Sequence, residues 1–156
     1  MIGSDRIWIG TTASRVLRST DGGRAWRIAN TPVATGEAAG IFSIAFRDAQ
    51  HAVIVGGNYR QESAAVDNAA FTADGGVTWT LAAKGLSGFR SVVACLPAGG
   101  RSLLAIGPSG ADRSDDDGRT WTPAGGPGFD ALSVAPRGGA AWAAGQAGRI
   151  AKVALR

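Results

Sequence analysis

An eight-residue phrase occurs three times in this sequence, at residues 19–26, 72–79 and 114–121. It reads Ser/Thr-x-Asp-x-Gly-x-Thr-Trp, with Ala25 in place of the threonine in the first copy. A phrase that recurs at such intervals is the signature of a repeat architecture, in which similar small units stack on one another. The chain is therefore predicted to fold as a series of similar units.

The residue types in the phrase suit a tight turn between two strands. A short carboxylate accepts backbone N–H groups across the loop, and a hydroxyl adds another hydrogen bond. A glycine adopts backbone conformations that a Cβ resists, and the tryptophan covers the hairpin with apolar area. We therefore predict a structural role, and no catalytic one, for twelve residues: Ser19, Asp21, Gly23, Trp26, Thr72, Asp74, Gly76, Trp79, Ser114, Asp116, Gly118 and Trp121.

The segments around the phrases read as short strands that begin or end at glycines. The first strand of a repeat follows Gly40, Gly88 or Gly128, which are 48 (88 − 40) and 40 (128 − 88) residues apart. The second strand is apolar and ends in a glycine, the third runs into the phrase, and the fourth starts at its tryptophan. Four antiparallel strands in every roughly 40–50 residues are typical of a β-propeller blade.

The predicted fold class is all-β, with about four blades at approximately residues 5–35, 40–84, 88–125 and 128–156. The first repeat starts at its second strand, and the last lacks both the phrase and a fourth strand, so both end blades are incomplete. A propeller ring typically has four to eight blades. We expect either a minimal ring or, preferably, the C-terminal part of a larger one. The open end blades of such a part either associate with each other or leave the fold marginally stable.

The composition restricts the partners and cofactors that this chain can have. The net charge is +4, but the 16 basic residues are scattered, so no nucleic-acid-binding arm is predicted. One cysteine and one histidine cannot assemble a disulfide or a zinc or haem site. The sequence contains no run of 18 apolar residues, so no membrane span is predicted, and the first residues do not resemble a signal peptide. The sequence leaves the cellular compartment open.

The phrase resembles the Asp-box, or bacterial neuraminidase repeat, of sialidases and other propellers. Three further stretches, at residues 40–48, 55–59 and 148–152, resemble the C-terminal half of bacterial proteins akin to the photosystem II stability/assembly factor, often labelled oxidoreductases or glycosyl hydrolases. The resemblance implies a propeller of the sialidase-like superfamily, with Asp-boxes on the blade periphery that take no part in catalysis. It also implies that longer relatives are exported to the periplasm or outside the cell.

The residues do not support the enzyme labels. A sialidase needs an arginine cluster, a tyrosine activated by a glutamate and an acidic aspartate. The only tyrosine here is Tyr59, the only glutamates are Glu37 and Glu62, and the rest of such a constellation is not recognisable in the sequence. No Gly-x-Gly-x-x-Gly follows a strand, so no dinucleotide site is predicted. The acidic run 112–118 fails as an EF-hand, because Arg113 stands at the first ligand position. We predict no catalytic residue, no cofactor and no metal, although a weak surface cation site in this run stays an alternative.

A binding surface is the better candidate. Phe42, Arg90 and Asp130 each lie two residues after a repeat glycine, on the first strand of a blade. Arg90 and Asp130 are interpreted either as an ion pair between adjacent blades or, together with Asn58, Tyr59 and Arg60, as a polar recognition patch. Loops on a rigid scaffold are where binding residues concentrate.

The function predicted from these observations is a non-catalytic propeller that binds a protein partner as an assembly-type scaffold. One alternative is a degenerate carbohydrate-binding propeller of the sialidase or glycosyl-hydrolase type. Another is a truncated product of an oxidoreductase-labelled propeller gene, with no independent role. A photosynthetic partner is not assumed, because a shared fold does not transfer function.

Overall fold

The computed structural model describes residues 5–97, 100–135 and 140–153, which form fourteen strands in four antiparallel sheets. The sheets contain three, four, four and three strands, in chain order, and each is a meander of neighbouring hairpins. This confirms the predicted all-β fold with an incomplete sheet at each end. The strands are β1 (Ile7–Gly10), β2 (Arg15–Ser19), β3 (Arg27–Asn30), β4 (Ala39–Phe46), β5 (Ala52–Asn58), β6 (Ala69–Thr72), β7 (Thr80–Leu81), β8 (Val92–Cys95), β9 (Leu103–Gly107), β10 (Gly110–Ser114), β11 (Thr122–Pro123), β12 (Ala131–Val134), β13 (Ala141–Gly145) and β14 (Arg149–Val153).

The helical content of the described chain is one 3-10 turn, Gln146–Gly148. Within those residues, accordingly, no helix has the length and apolar character that crossing a bilayer requires. Residues 98–99 of the predicted third unit and residues 136–139 and 154–156 of the predicted fourth unit lie outside the described residues.

Successive sheets stack face to face, with their first strands in contact: β4 lies against β8, and β8 lies against β12. Three apolar clusters fill the spaces between the sheets. Their central residues are, in order, Val16, Ile54 and Trp79; Val55, Ala105 and Trp121; and Ile106, Phe129 and Ala143. The second strands β5 and β9 are buried on both faces, which explains their continuous apolar runs.

The meander places the loops on two opposite rims of the stack. The lower rim carries the turns between first and second strands. It also carries the three repeated phrases between third and fourth strands, which we call the Asp phrases (residues 19–26, 72–79 and 114–121). The upper rim carries the turns between second and third strands, including residues 59–68, and the connections between sheets, including residues 82–91. The residues predicted to bind a partner all lie toward the upper rim.

The Asp phrases close the lower-rim turns with a shared set of hydrogen bonds. In the second copy, Asp74 accepts the N–H groups of Val77 and Thr78, each at 3.0 Å, and the Thr78 hydroxyl at 2.6 Å. The Thr72 hydroxyl donates to Asp74 and accepts the N–H of Gly76, whose φ of +82° favours glycine. The carboxylate therefore holds the turn from inside, as a structural role requires.

The first copy differs from the other two in what surrounds it. Ala25 has no hydroxyl, so Asp21 lacks the bond that Asp74 and Asp116 receive from a threonine. Trp26 is exposed, whereas its counterparts Trp79 and Trp121 are buried against the preceding sheet. The described part of the chain places no sheet on the outer side of the first one.

Candidate functional site

Three aromatic rings meet on the upper rim, and we call Phe42, Tyr59 and Phe89 the aromatic patch. The Phe42 ring lies 4.8 Å from Phe89 and 6.0 Å from Tyr59, centroid to centroid, and both pairs are edge-to-face. Phe42 and Tyr59 are 38% and 44% exposed, whereas Phe89 is buried. The patch therefore presents two aromatic surfaces to solvent on a buried aromatic base, the kind of geometry that aromatic pairs favour.

The loop after β5 holds Tyr59 and Arg60 at the edge of this patch. The Asn58 side-chain oxygen accepts the Arg60 N–H at 2.9 Å, and the Tyr59 N–H donates to the carbonyl of Ala38. The Arg60 guanidinium lies 5.9 Å from the centre of the Tyr59 ring. It also pairs with Glu37 at 3.2 Å, and both charged side chains are largely exposed. Asn58, Tyr59 and Arg60 thus lie together beside the aromatic patch, and the polar recognition patch that includes them stays a prediction.

Arg90 lies beneath the rim, and its ion pair differs from the one that the sequence predicts. Its Nε donates to Asp112 Oδ2 at 2.7 Å, and both side chains are almost fully buried. Its other nitrogens donate to the Ser87 hydroxyl, the Ser109 hydroxyl and the Phe89 carbonyl. The predicted Arg90–Asp130 ion pair is therefore wrong.

Asp112, the partner of Arg90, belongs to the acidic run 112–118, which does not fit the pattern of a calcium-binding loop. Strand β10 alternates between inside and outside, with Gly110 and Ser114 buried. The same alternation buries Asp112, so its carboxylate needs a partner from within the protein. This period of two is the signal that points to Asp112. With its guanidinium buried, Arg90 cannot contact a ligand at the surface and instead positions Phe89, its neighbour in the patch.

Asp130 belongs to a second concavity on the upper rim, between the third and fourth sheets. The residues Glu62, Asp130, Gln146 and Arg149 help to line a polar cavity with a volume of about 270 Å³. The Glu62 carbonyl accepts the N–H of Phe89 at 2.8 Å, which connects this cavity to the aromatic patch. Two acidic residues, Glu62 and Asp130, therefore line one cavity, although they are far apart in the sequence.

A larger apolar groove lies between the third and fourth sheets, with a volume of about 410 Å³. Its walls include Leu104, Ile106 and Phe129, and β14 forms one side as the last strand of its sheet. Between the other sheets, Trp79 and Trp121 pack into the corresponding space. The groove is therefore large and apolar enough to accommodate an aromatic side chain from an extended segment.

The acidic run on the lower rim is occupied by internal partners. Asp115 pairs with Arg113, Asp116 holds its own turn, and Asp117 accepts hydrogen bonds from Arg47 and Arg101 at 2.8 Å each. Among the described residues, no group of three or more His, Cys, Asp or Glu side chains has the arrangement of a metal site. These acids stabilise the lower rim, and Arg47 connects the second sheet to the third through Asp117.

No protein-family model matches the sequence, and no curated protein matches it either. Solved structures do match. A structure of YCF48 bound to a D1 peptide is 21% identical, with a TM-score of 0.65 over 94% of this chain and 46% of that one. YCF48 from Cyanidioschyzon merolae is 15% identical, with a TM-score of 0.66 over 99% of this chain and 51% of that one. The GH74 xyloglucanase from Xanthomonas campestris is 19% identical, with a TM-score of 0.60 over 89% of this chain and 24% of that one.

The four sheets are β-propeller blades. At these identities the likeness establishes the fold and nothing finer. The chain spans about half the length of the YCF48 structures that it matches, and a smaller share of the xyloglucanase. The neighbours thus include a propeller with a bound peptide as well as a glycosidase.

Proposed function

We propose that this propeller binds an extended segment of a partner protein at the aromatic patch, as an assembly-type scaffold without catalytic activity. The observation that carries the proposal is the exposed pair Phe42 and Tyr59, supported from below by Phe89. Aromatic side chains that are rigidly held at a surface are the residues that most often dominate binding energy at protein interfaces. The likeness to YCF48, which carries a peptide in one structure, supports the same reading.

The surroundings of the patch suit a peptide ligand. Arg60 offers a guanidinium beside the Tyr59 ring, and Glu37 supplies an opposite charge next to it. Both are exposed, so they are available to orient a polar backbone or a charged side chain at the rim of the interface. A segment with an apolar residue over the two rings and a carboxylate near Arg60 fits this arrangement.

A selection experiment tests the proposal without knowledge of the natural partner. A phage-displayed library of random dodecapeptides is selected on the full chain, and the enriched peptides are synthesised and titrated by fluorescence anisotropy. Tyr59→Ala and Phe42→Ala should each weaken binding at least tenfold. Val77→Ala is the matched control, because Val77 is an exposed apolar residue on the opposite rim.

The apolar groove between the third and fourth blades is the alternative binding site for the same protein segment. Ala124→Glu places a carboxylate at the lining of this groove and leaves the aromatic patch intact. Loss of binding in this variant, with full binding in Tyr59→Ala, would move the site to the groove and overturn the assignment to the patch. Failure to enrich any peptide over several selections would count against protein-segment binding itself.

A carbohydrate-binding propeller is the second candidate. It is favoured by two acidic residues, Glu62 and Asp130, that line the polar cavity, because glycoside hydrolysis requires a pair of acids beside the sugar. Isothermal titration with xyloglucan oligosaccharides and sialyllactose tests this alternative, and a reducing-sugar assay tests hydrolysis. Binding that Glu62→Gln and Asp130→Asn abolish would support the sugar reading. No heat of binding at millimolar sugar would contradict it.

A further inference from the structure

The polar cavity on the upper rim is formed by three successive blades. Glu62 belongs to the loop after β5 in the second blade, and Pro108 to the turn between β9 and β10 in the third. Asp130 directly precedes β12, Gln146 begins the turn after β13, and Arg149 begins β14, all in the fourth blade. The cavity therefore lies where three described blades meet.

Close backbone packing fixes the wall of the cavity to which Glu62 belongs. The Glu62 carbonyl accepts the Phe89 N–H at 2.8 Å and the Ser109 hydroxyl at 3.2 Å. This carbonyl also lies so close to Gly88 that a Cβ at Gly88 would overlap it. The Ser109 hydroxyl in turn accepts a hydrogen bond from the buried Arg90 at 3.0 Å. The wall is therefore held in place before a ligand binds, which lowers the entropic cost of binding.

The carboxylates are what Glu62 and Asp130 can offer to a ligand, because their backbone carbonyls are used within the protein. The Asp130 carbonyl accepts the Ser91 hydroxyl at 2.8 Å, and the Asp130 N–H donates to the Ala144 carbonyl at 2.8 Å. Among the described residues, neither carboxylate takes part in a hydrogen bond or an ion pair. Glu62 is half-buried and Asp130 is exposed, so a ligand can reach both.

The charge of the lining favours a ligand with one positive charge. Two acidic residues and one basic residue line the cavity, which leaves a formal charge of −1 on a chain whose net charge is +4. The basic residue is Arg149, whose guanidinium lies 5.5 Å from the centre of the Phe129 ring. Within the described chain it forms no ion pair with Glu62 or Asp130. Both carboxylates are therefore available to a cation from outside.

We infer that this cavity binds the ammonium or guanidinium group of a lysine or arginine in the same protein segment that covers the aromatic patch. The inference rests on the proposed function, because it gives that segment a second, positively charged anchor. The cation donates hydrogen bonds to the carboxylates of Glu62 and Asp130. Hydrogen bonds between charged groups are stronger than neutral ones, and they give specificity as well as affinity.

A basic side chain fits the cavity better than a metal ion does. A bound Ca²⁺ takes roughly six to eight oxygen ligands. The lining has two carboxylates, and no group of three or more His, Cys, Asp or Glu in the described structure is arranged to hold a metal. An ammonium group needs few acceptors, and its carbon chain brings it into the cavity from the neighbouring patch.

The proximity of the two sites restricts where the basic residue lies in the segment. Tyr59 and Glu62 are three residues apart in the chain, so their Cα atoms lie at most about 11 Å apart. An extended segment advances about 3.3 Å per residue. The lysine or arginine is therefore expected within about three positions of the apolar residue that covers the rings.

A titration with a single lysine derivative tests the cavity without any partner protein. Heteronuclear NMR of the full chain follows the addition of N-acetyl-lysine methylamide, up to about 50 mM because one ion pair binds weakly. The amide signals of Glu62, Asp130 and Gln146 should shift, and Glu62→Gln and Asp130→Asn should each weaken binding about fivefold. Glu37→Gln is the matched control, because Glu37 is an exposed acid on the same rim. N-acetyl-norleucine methylamide, which lacks the charge, should leave the cavity signals unchanged.

Peptides selected on the full chain test whether the cation belongs to the same segment. Exchange of their lysine or arginine for norleucine should weaken binding about fivefold on the wild type, and Asp130→Lys should reverse the preference toward a glutamate at that position. Peptides that depend on Tyr59 but tolerate the exchange would overturn the inference and leave the proposed function intact. Failure to enrich any peptide would count against the proposed function, and the lysine titration would still decide whether the cavity holds a cation. Absence of any shift with the lysine derivative, or sugar binding that Glu62→Gln abolishes, would also overturn the inference.

Discussion

Arg90 and Asp112 form a buried ion pair that anchors the upper rim, with 2.7 Å between Nε and Oδ2. The same carboxylate accepts the N–H and the hydroxyl of Ser87, so its lone pairs are used within the protein. The pair joins the connection between the second and third blades to strand β10. Because Phe89 precedes Arg90, the base of the aromatic patch depends on this anchor.

Removing either partner leaves a buried charge without its counterpart. We expect Arg90→Ala and Asp112→Ala to lower the free energy of unfolding by about 3–5 kcal/mol each. The double variant Arg90→Met/Asp112→Leu should cost clearly less than the sum of the two single changes, because no isolated charge remains. Urea denaturation followed by tryptophan fluorescence measures all three.

The exposed pair of Arg60 and Glu37 is the control for this prediction. Arg60→Ala removes an ion pair of similar chemistry at the surface and should change the free energy of unfolding by less than about 1 kcal/mol. If Arg60→Ala and Arg90→Ala lowered the free energy of unfolding equally, burial would not be what makes the loss of an ion pair destabilising.

Asp74 makes stability depend on pH in the acid range. Partial burial raises the pKa of Asp74, but the hydrogen bonds from Thr78, Thr72 and Val77 outweigh it and hold the pKa at about 2. A carboxyl whose folded pKa is depressed stabilises the protein above its unfolded pKa of about 3.9 and loses that contribution as the pH falls toward 2. We therefore expect the free energy of unfolding to fall between about pH 4 and pH 2.

Asp74→Asn tests that assignment, since the amide keeps the shape of the side chain and does not titrate. Its stability should change less between pH 4 and pH 2 (roughly the window between the two pKa values) than that of the wild type. Part of the slope should remain, because the N–H groups of Gln50 and His51 outweigh partial burial and also hold the pKa of Asp48 at about 2. An unchanged slope in Asp74→Asn would contradict the role given to this carboxyl. Thermal melts in citrate and glycine buffers provide the data.

Ala25 marks the Asp phrase whose carboxylate receives one hydroxyl hydrogen bond, from Ser19, and lacks the second one that a threonine at position 25 would supply. In the other copies, Thr78 and Thr120 donate to the aspartate at 2.6 Å. Ala25→Thr should create the same bond to Asp21 and raise the free energy of unfolding by about 0.5–1.5 kcal/mol. Ala25→Val is the matched control, because it has the shape of threonine without the hydroxyl. A gain of equal size in both variants would assign the effect to strand propensity instead.

Asp117 adopts a φ of +61° at a position where the other phrases have Gly22 and Gly75. A side chain there is strained, and its carboxylate offsets the strain by binding Arg47 and Arg101. Asp117→Ala keeps the strain and loses the ion pairs, so it should lower the free energy of unfolding by about 1–3 kcal/mol. Asp117→Gly loses the same pairs but relieves the strain, and it should be more stable than Asp117→Ala by about 1 kcal/mol. Chemical denaturation of the two variants side by side decides this, and equal stabilities would speak against strain at this position.

Only part of the candidate site was predictable from the sequence, because the aromatic patch depends on contacts between residues that are far apart in the chain. Asn58, Tyr59 and Arg60 are adjacent in the chain, so their proximity followed from the sequence. Phe42 and Phe89 come from different blades, and only packing brings their rings within 4.8 Å. A phenylalanine after two of the repeat glycines, at Phe89 and Phe129, was the available signal, and both side chains are buried.

The error over Arg90 has a general cause. Asp112 lies in the same blade as Arg90 and Asp130 lies in the next one, so both are possible partners. The sequence pattern of the repeats does not show which of the two carboxylates is buried beside Arg90. A buried guanidinium pairs with the carboxylate that is buried with it, because an exposed one is already satisfied by water. That choice is made by the alternation of β10 and by the stacking of the blades.

The sequence by itself determined the fold class, the number and order of the strands and the turn chemistry of the Asp phrases, because these depend on local hydrogen bonds and on residues near one another in the chain. Only the tertiary structure decided which partners the charged side chains take, which rings form the aromatic patch and which apolar faces are exposed. Identical positions such as Trp26 and Trp121 differ in exposure because burial depends on whether another blade lies alongside. The phrase fixes the turn, and the neighbouring blade decides what its tryptophan contacts.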